Sequence, residues 1–211
     1  MLEPSLLDRE REEKIAEIIA RYNAILKEFA VHDGAMSAHN AVTRTTESGD
    51  LRMPPENKKM RDTDAVCMSA ALELAALAAE EGDVPVGAVV FRDGAIIAGD
   101  CNGREKYRDA SYHAETAVIS KSCRLLGGWR LVGCTLYVTL EPCPMCAGAI
   151  WCARIPKVVI GAKDAKAGAM GSLINLNSYP LNHKPEVHLG VLESESRALL
   201  QDFFAVRRRK K

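Results

Sequence analysis

What this 211-residue sequence lacks bounds it first. No apolar run approaches the roughly 20 residues that a bilayer-spanning helix needs. The opening stretch, Met1 to Lys14, is charged where a secretory signal would be apolar. The expected setting is the cytoplasm, with no membrane contact. Net charge is also absent: 28 Lys plus Arg face 28 Asp plus Glu, which excludes a grip on nucleic acid through bulk charge and confines any RNA contact to a local patch. No internal repeat is visible, which argues against a solenoid or propeller. The seven cysteines are odd in number in a chain too long to need disulfide staples, and this fits a reducing compartment.

With 47% hydrophobic and 27% charged residues, the chain suits one globular domain with something appended, since domains centre on roughly 100–150 residues. Charge divides it only weakly: residues 1–60 carry nine Lys/Arg against eleven Asp/Glu, and the remainder 19 against 17. Ser5 with Asp8 three residues on resembles a capping box with Asp in place of Glu. A helix should follow, with Ile15, Ile18, Ile19, Tyr22, Ile25, Leu26 and Phe29 forming one apolar stripe that needs a partner surface. From Val31 to Asp62 the periodicity gives way to His32-Asp33-Gly34, Thr43 to Gly49 and Pro54-Pro55, a linker composition. The expected division is thus a helix over 1–30, a linker over 31–62 and a compact domain over 63–211.

Within that domain, Ala65 to Glu81 has the propensity of a closely packed helix. Val86 to Phe91 and Ala95 to Gly99 flank Arg92-Asp93-Gly94 and read as a hairpin, because Asp-Gly supplies the positive backbone angles of a tight turn. A polar loop from Cys101 to Tyr112 leads to a helix over His113 to Leu126 and a strand over Thr135 to Leu140. Glu141-Pro142 breaks the strand and opens a helix over Cys143 to Ala153, with Pro142 suited to the first turn. Lys157 to Ile160 and Val187 to Val191 supply two more strands, and Glu193 to Val206 closes as an amphipathic helix. The alternation predicts a three-layer α/β/α domain around a five-stranded mixed sheet.

Cys143-Pro144-Met145-Cys146 puts two thiols three positions apart at a helix start, where the positive end of the helix favours the thiolates that bind zinc. A Cys-x-x-Cys can instead be a redox pair, but thioredoxin-type pairs lie in a different order of strand and helix, and a further nearby ligand favours metal. His113 can supply it: His113-Ala114-Glu115 also opens a helix, and the two helix starts could converge at one sheet edge. Two thiolates and an imidazole leave one tetrahedral position open for water, as in a catalytic rather than a structural site. Glu115, a carboxylate outside the ligand set, is the candidate for moving protons to and from that water and the substrate. A lone His-x-Glu is commonplace; paired with a downstream Pro-Cys-x-x-Cys, it marks zinc deaminases. Cys67, Cys101, Cys123, Cys134 and Cys152 are scattered and read as small buried hydrophobes. His32, His39, His183 and His188 show no ligand spacing.

From Asp64 to Arg209 the sequence resembles the bacterial tRNA-specific adenosine deaminases, of the cytidine-deaminase-like zinc deaminase superfamily. Beyond the zinc motifs, the resemblance is carried by Val84-Pro85-Val86-Gly87-Ala88-Val89, Gly161-Ala162-Lys163-Asp164-Ala165-Lys166, Gly168, Gly171-Ser172 and Leu199-Leu200-Gln201-Asp202-Phe203-Phe204 with Arg207-Arg208. It implies a homodimer with one zinc per subunit, held by His113, Cys143 and Cys146, that converts adenosine to inosine at the wobble position of a tRNA, with tRNA-Arg as the expected substrate. Glu115 would shuttle protons. Asn102 falls where the family contacts the target nucleoside, and Val84, Ala114 and Pro142 would shape the base pocket, although Asn102 beside Gly103 can also simply satisfy a loop. Asp164, Lys166, Tyr179, Phe204, Arg207 and Arg208 would face the anticodon stem-loop through stacking and phosphate contacts.

The first 60 or so residues depart from the family pattern. Their helix would dock its stripe on the deaminase or on another protein, unless translation begins near Met60. Two other functions remain open at this level. A guanine or cytosine deaminase acting on free bases shares the zinc apparatus, and a zinc-stabilised RNA-binding module without turnover would have no need of Glu115.

Overall fold

The computed structural model describes residues 6–34 and 58–209, so Ser5 of the expected capping box and residues 35–57 of the expected linker lie outside the described residues. Strands β1 (Gly87–Arg92) and β2 (Ala95–Cys101) form the expected hairpin. Asp93 (φ 50°) and Gly94 (φ 85°) both adopt the left-handed region that matches a two-residue turn to the twist of its strands. β3 (Thr135–Leu140) pairs antiparallel with β1, β4 (Lys157–Ala162) parallel with β3, and β5 (Glu186–Leu189) parallel with β4. The sheet is therefore five-stranded and mixed, in the order β2-β1-β3-β4-β5.

Side-chain alternation sorts the sheet into two faces. Ala88, Val90, Leu136, Val138, Val158 and Ile160 share one core with Val118 and Ile119 of α4 (Ala114–Leu125) and with Ala147 and Ile150 of α5 (Pro144–Cys152). Val89, Tyr137 and Val159 face the other way, onto Cys67, Met68, Ala71, Leu74 and Ala78 of α2 (Lys58–Glu80). The last helix, α6 (Glu193–Arg209), covers β4 and β3 beside α2. This is the three-layer α/β/α arrangement. The helix over 65–81 begins earlier than its apolar pattern, at Lys58, and Met60 lies in its first turn. A short helix missed in the polar loop, α3 (Arg104–Tyr107), interrupts the segment after β2. Pro142 stands outside α5: Cys143 is the N-cap residue and Pro144 fills the first helical position.

The first helix, α1 (Leu6–Gly34), lays its stripe on this domain. Ile15, Tyr22 and Leu26 are buried in the core formed with α2, and Ile18, Ile19 and Ile25 flank them, whereas Phe29 stays exposed. Each buried side chain contributes about 1.5–3 kcal/mol. Most of the stripe is thus covered from within. Asn23 adds a polar clasp: its amide accepts from Ile96 N at 2.8 Å and donates to Ile96 O at 3.0 Å, satisfying the outer edge of β2.

Topology then gathers the loops. β2 and β3 both run antiparallel to β1, and β4 runs parallel to β3. The segments that leave the ends of β2, β3 and β4 therefore emerge along one edge, where ligands bind in open α/β sheets.

Candidate active site

At that edge α4 and α5 both point their N-termini. His113 is the N-cap residue of α4, and its backbone N–H donates to Thr116 Oγ1 at 3.2 Å. Cys143 caps α5 and Cys146 lies one turn in, fully buried. His113 Nδ1 is 3.7 Å from Cys143 Sγ and 3.4 Å from Cys146 Sγ. The three ligand atoms lie within 4.8 Å of one another, the one such grouping of His, Cys, Asp and Glu among the described residues. A tetrahedral zinc with its usual bonds to sulfur and nitrogen separates such donors by about 3.6 Å. The donor set and its spacing therefore fit zinc.

Protons are shared unequally in this cluster. The Cys146 thiol donates to Cys143 and pulls it down to about 3 against the effect of burial, with His113 assisting. The same bond, together with burial, pushes Cys146 up. His113 is raised by its bond to Cys143. Glu115, 4% exposed, is raised by burial, against its own backbone N–H and the neighbouring His113. Burial therefore shifts this carboxyl toward its protonated form, beside the three donors.

The donors open into a cavity of about 190 Å³ lined by Val84, Val86, Asn102, Arg104, His113, Glu115, Leu140, Glu141, Cys143, Asp164 and Ala167. Larger grooves, of about 520 and 580 Å³, run between α1 and α2 and beside α6, but they hold no metal-ligating cluster. Asn102 is 4% exposed. Its Nδ2 donates to Asp83 Oδ1 at 3.1 Å and to Val84 O at 3.3 Å. Both partners are acceptors, so they fix the amide's orientation and leave Oδ1 as the group for a ligand. Asp83, 1% exposed, also accepts from the backbone of Glu105 and Lys106 at the start of α3.

Of the pocket residues expected from sequence, Val84 and Asn102 line the cavity. Ala114 is fully buried in the core beneath it, and Pro142 is buried with its carbonyl accepting from Ala169 N at 2.8 Å. Asp164 lines the cavity and also shapes its own turn, accepting from Lys166 N at 2.8 Å and Ala167 N at 3.1 Å. Lys166, Tyr179, Phe204, Arg207 and Arg208 are exposed and stand outside the lining. Phe204 packs edge-on against Phe203, and the Arg207 guanidinium lies 5.2 Å from the Phe203 ring centre.

Sequence reasoning missed Arg104, Asp83 and Glu141 as site residues. Glu141 clasps the loop after β4: Oε1 accepts from Met170 N and Ser172 N at 3.0 Å each, and Oε2 from Asp164 N at 3.1 Å. Burial works against its ionisation, and a bond from the Ser172 hydroxyl together with these backbone bonds outweighs it, leaving the carboxyl below its usual range. Gly168 permits the clasp, since a Cβ there would lie 2.4 Å from Glu141 Cδ. Among the scattered cysteines, Cys67, Cys101 and Cys134 are buried as expected and Cys123 partly so. Cys152 is a correction: it lies in the last turn of α5 on the solvent side and is exposed. No helix among the described residues is long and apolar enough to cross a membrane.

Residues 61–162 match the cytidine and deoxycytidylate deaminase zinc-binding region. The tRNA-specific adenosine deaminase of Bacillus subtilis is 50% identical over 149 residues, covering 70% of this chain and 92% of that protein. The chain belongs to the tRNA-specific adenosine deaminase family. The corresponding protein of Agrobacterium fabrum is 46% identical over 142 residues, 67% of this chain and 93% of its own. A solved structure from studies of A-to-I editing by tRNA:A34 deaminases at the wobble position of transfer RNA is 47% identical, with a TM-score of 0.62, and covers 64% of this chain and 98% of that one. This deaminase is accordingly a zinc-dependent hydrolase acting on C–N bonds, with the cytidine-deaminase-like fold.

Proposed function

We propose that the deaminase hydrolyses adenosine to inosine at the wobble position of a tRNA anticodon, with tRNA-Arg as its expected substrate, working as a homodimer with one zinc per subunit. The observation that carries this is the meeting of His113, Cys143, Cys146 and the buried Glu115 at the base of a cavity of about 190 Å³. That volume is below the roughly 300 Å³ of ordinary small-molecule sites. It suits a single base turned out of a loop, with the rest of the RNA left outside. The 50% identity to a tRNA-specific adenosine deaminase supports the choice of substrate.

His113, Cys143 and Cys146 would hold zinc, which supplies Lewis acidity and lowers the pKa of water. Glu115 takes a proton from the attacking water and delivers it to the amine leaving adenine C6, so that adenosine and water become inosine and ammonia. Asn102 Oδ1 accepts from the nucleoside and fixes its orientation. Val84, Ala114 and Pro142 form or back the wall of the base pocket. Asp164 and Lys166 meet the anticodon loop beside the cavity, Tyr179 and Phe204 offer rings for stacking, and Arg207 and Arg208 offer charge to phosphates.

The test gives zinc-loaded protein an anticodon stem-loop with a wobble adenosine, beside free adenine, guanine and cytosine. Inosine in the RNA alone is the expected result. Turnover of a free base alone would replace the substrate while keeping the chemistry, and binding without turnover would make the protein an RNA-binding module.

A further inference from the structure

One side chain of α1 departs from its apolar stripe and yet is buried. Arg11 is 2% exposed, on a helix upstream of the matched residues 61–162. Its Nη2 donates to Asp100 Oδ1 at 3.1 Å, Cys101 O at 2.7 Å and Asn102 O at 3.4 Å, and its Nη1 donates to Glu81. The guanidinium also lies 5.4 Å from the ring centre of Tyr107 and 5.8 Å from that of Tyr112. The two rings pack on each other at 4.4 Å.

Apart from Glu81, which follows α2, these partners bracket one loop. Asn102 begins it, α3 crosses its middle, and Tyr112 ends it next to His113. Asp100, wholly buried, ties the same loop to α4, taking the Tyr112 hydroxyl at 3.4 Å and Lys121 Nζ at 2.9 Å. A buried ion pair is a weak device for docking a helix, because well-packed apolar side chains dock it as well or better. A guanidinium offers what they cannot: a rigid fork that serves two carbonyls and two carboxylates at once.

We propose that Arg11 is a positioning residue, reaching from α1 to fix the 101–113 loop and through it Asn102 and His113. The kinetic part of the test rests on the proposed RNA substrate, and the exchange part does not. Full-length, zinc-loaded wild type is compared with Arg11→Met, Arg11→Lys and Ile15→Ala. Ile15→Ala weakens the seating of α1 through its apolar core while keeping every bond from Arg11.

Amide exchange in 101–113 should rise about tenfold or more in Arg11→Met and stay within about threefold of wild type in Ile15→Ala. Turnover of the stem-loop should fall about tenfold or more in kcat/KM in Arg11→Met, with Ile15→Ala close to wild type. Arg11→Lys keeps the charge without the fork and should recover only part of both. Unchanged exchange in Arg11→Met, or an equal rise in Ile15→Ala, overturns the proposal. If Arg11→Met does not fold, wild-type exchange and turnover in Arg11→Lys overturn it instead. A wild type that leaves the stem-loop unedited defeats the proposed function, and the exchange comparison still decides the role of Arg11.

Discussion

Replacing Glu141 with Ala should unfasten the loop after β4 from the wall of the cavity. Three backbone N–H groups lose their acceptor: those of Met170, Asp164 and Ser172. Met170 is 7% exposed, so its N–H has no water to turn to and costs about 1–3 kcal/mol. Asp164 is half-buried and adds a smaller amount, whereas exposed Ser172 is largely compensated by solvent. The sum is about 2–5 kcal/mol. Gly168→Ala attacks the same clasp from the opposite side, since its methyl would lie 2.4 Å from Glu141 Cδ and 2.5 Å from Asp164 O. Once Glu141 is gone, the contacts of that methyl with Glu141 Cδ and Oε2 are relieved and the one with Asp164 O remains. The double variant should therefore lose less than the two single losses combined, with a coupling of about 1–3 kcal/mol. Urea unfolding of the four zinc-saturated proteins, fitted with a common slope, measures it. Losses that add to within about 0.5 kcal/mol would refute the clasp.

Asn102→Ala should retain zinc and lower kcat/KM for the stem-loop about 10- to 100-fold, the loss of one buried hydrogen bond to the reacting nucleoside. Asn102→Asp should not restore it, because it turns an oxygen toward Asp83 and Val84 O where Nδ2 now donates; wild-type kinetics in either variant would remove Asn102 from the site. Neutralising Arg207 and Arg208 together should reduce the slope of log affinity against log salt by about 1.4, the release of two counterions from single-stranded RNA. An unchanged slope would take the end of α6 out of the RNA interface.

Much of this fold follows from periodicity. The hairpin at Asp93-Gly94 and the strand at Thr135–Leu140 fall where alternation and turn chemistry place them, since those signals are local. The order of strands is not local: β3 lies between β1 and β4 because α4 and then α5 each return the chain to the sheet, a fact of tertiary packing. The donors of the zinc site were legible because metal chemistry restricts residue type and spacing together. Arg11, Asp83 and Glu141 were not, because a charged residue on a helix or in a loop reads as solvated unless its partners are known. Those partners are distant in sequence: Arg11 meets Asp100 across 89 positions, and Glu141 meets Met170 across 29. The apolar stripe of α1 announced that it needed a surface, but only the fold shows that α2 and β2 provide it.

The most direct measurement compares wild type with Glu115→Gln for inosine at the wobble position of the stem-loop under single-turnover conditions, with metal content determined on the same samples. The expected result is zinc in both proteins and inosine only with wild type, since the amide keeps the shape of the side chain but can neither take a proton from water nor deliver one to the leaving amine. Inosine formation by Glu115→Gln at the wild-type rate, with zinc in place, would contradict the assignment of proton transfer to Glu115 and with it the chemistry assigned to this site.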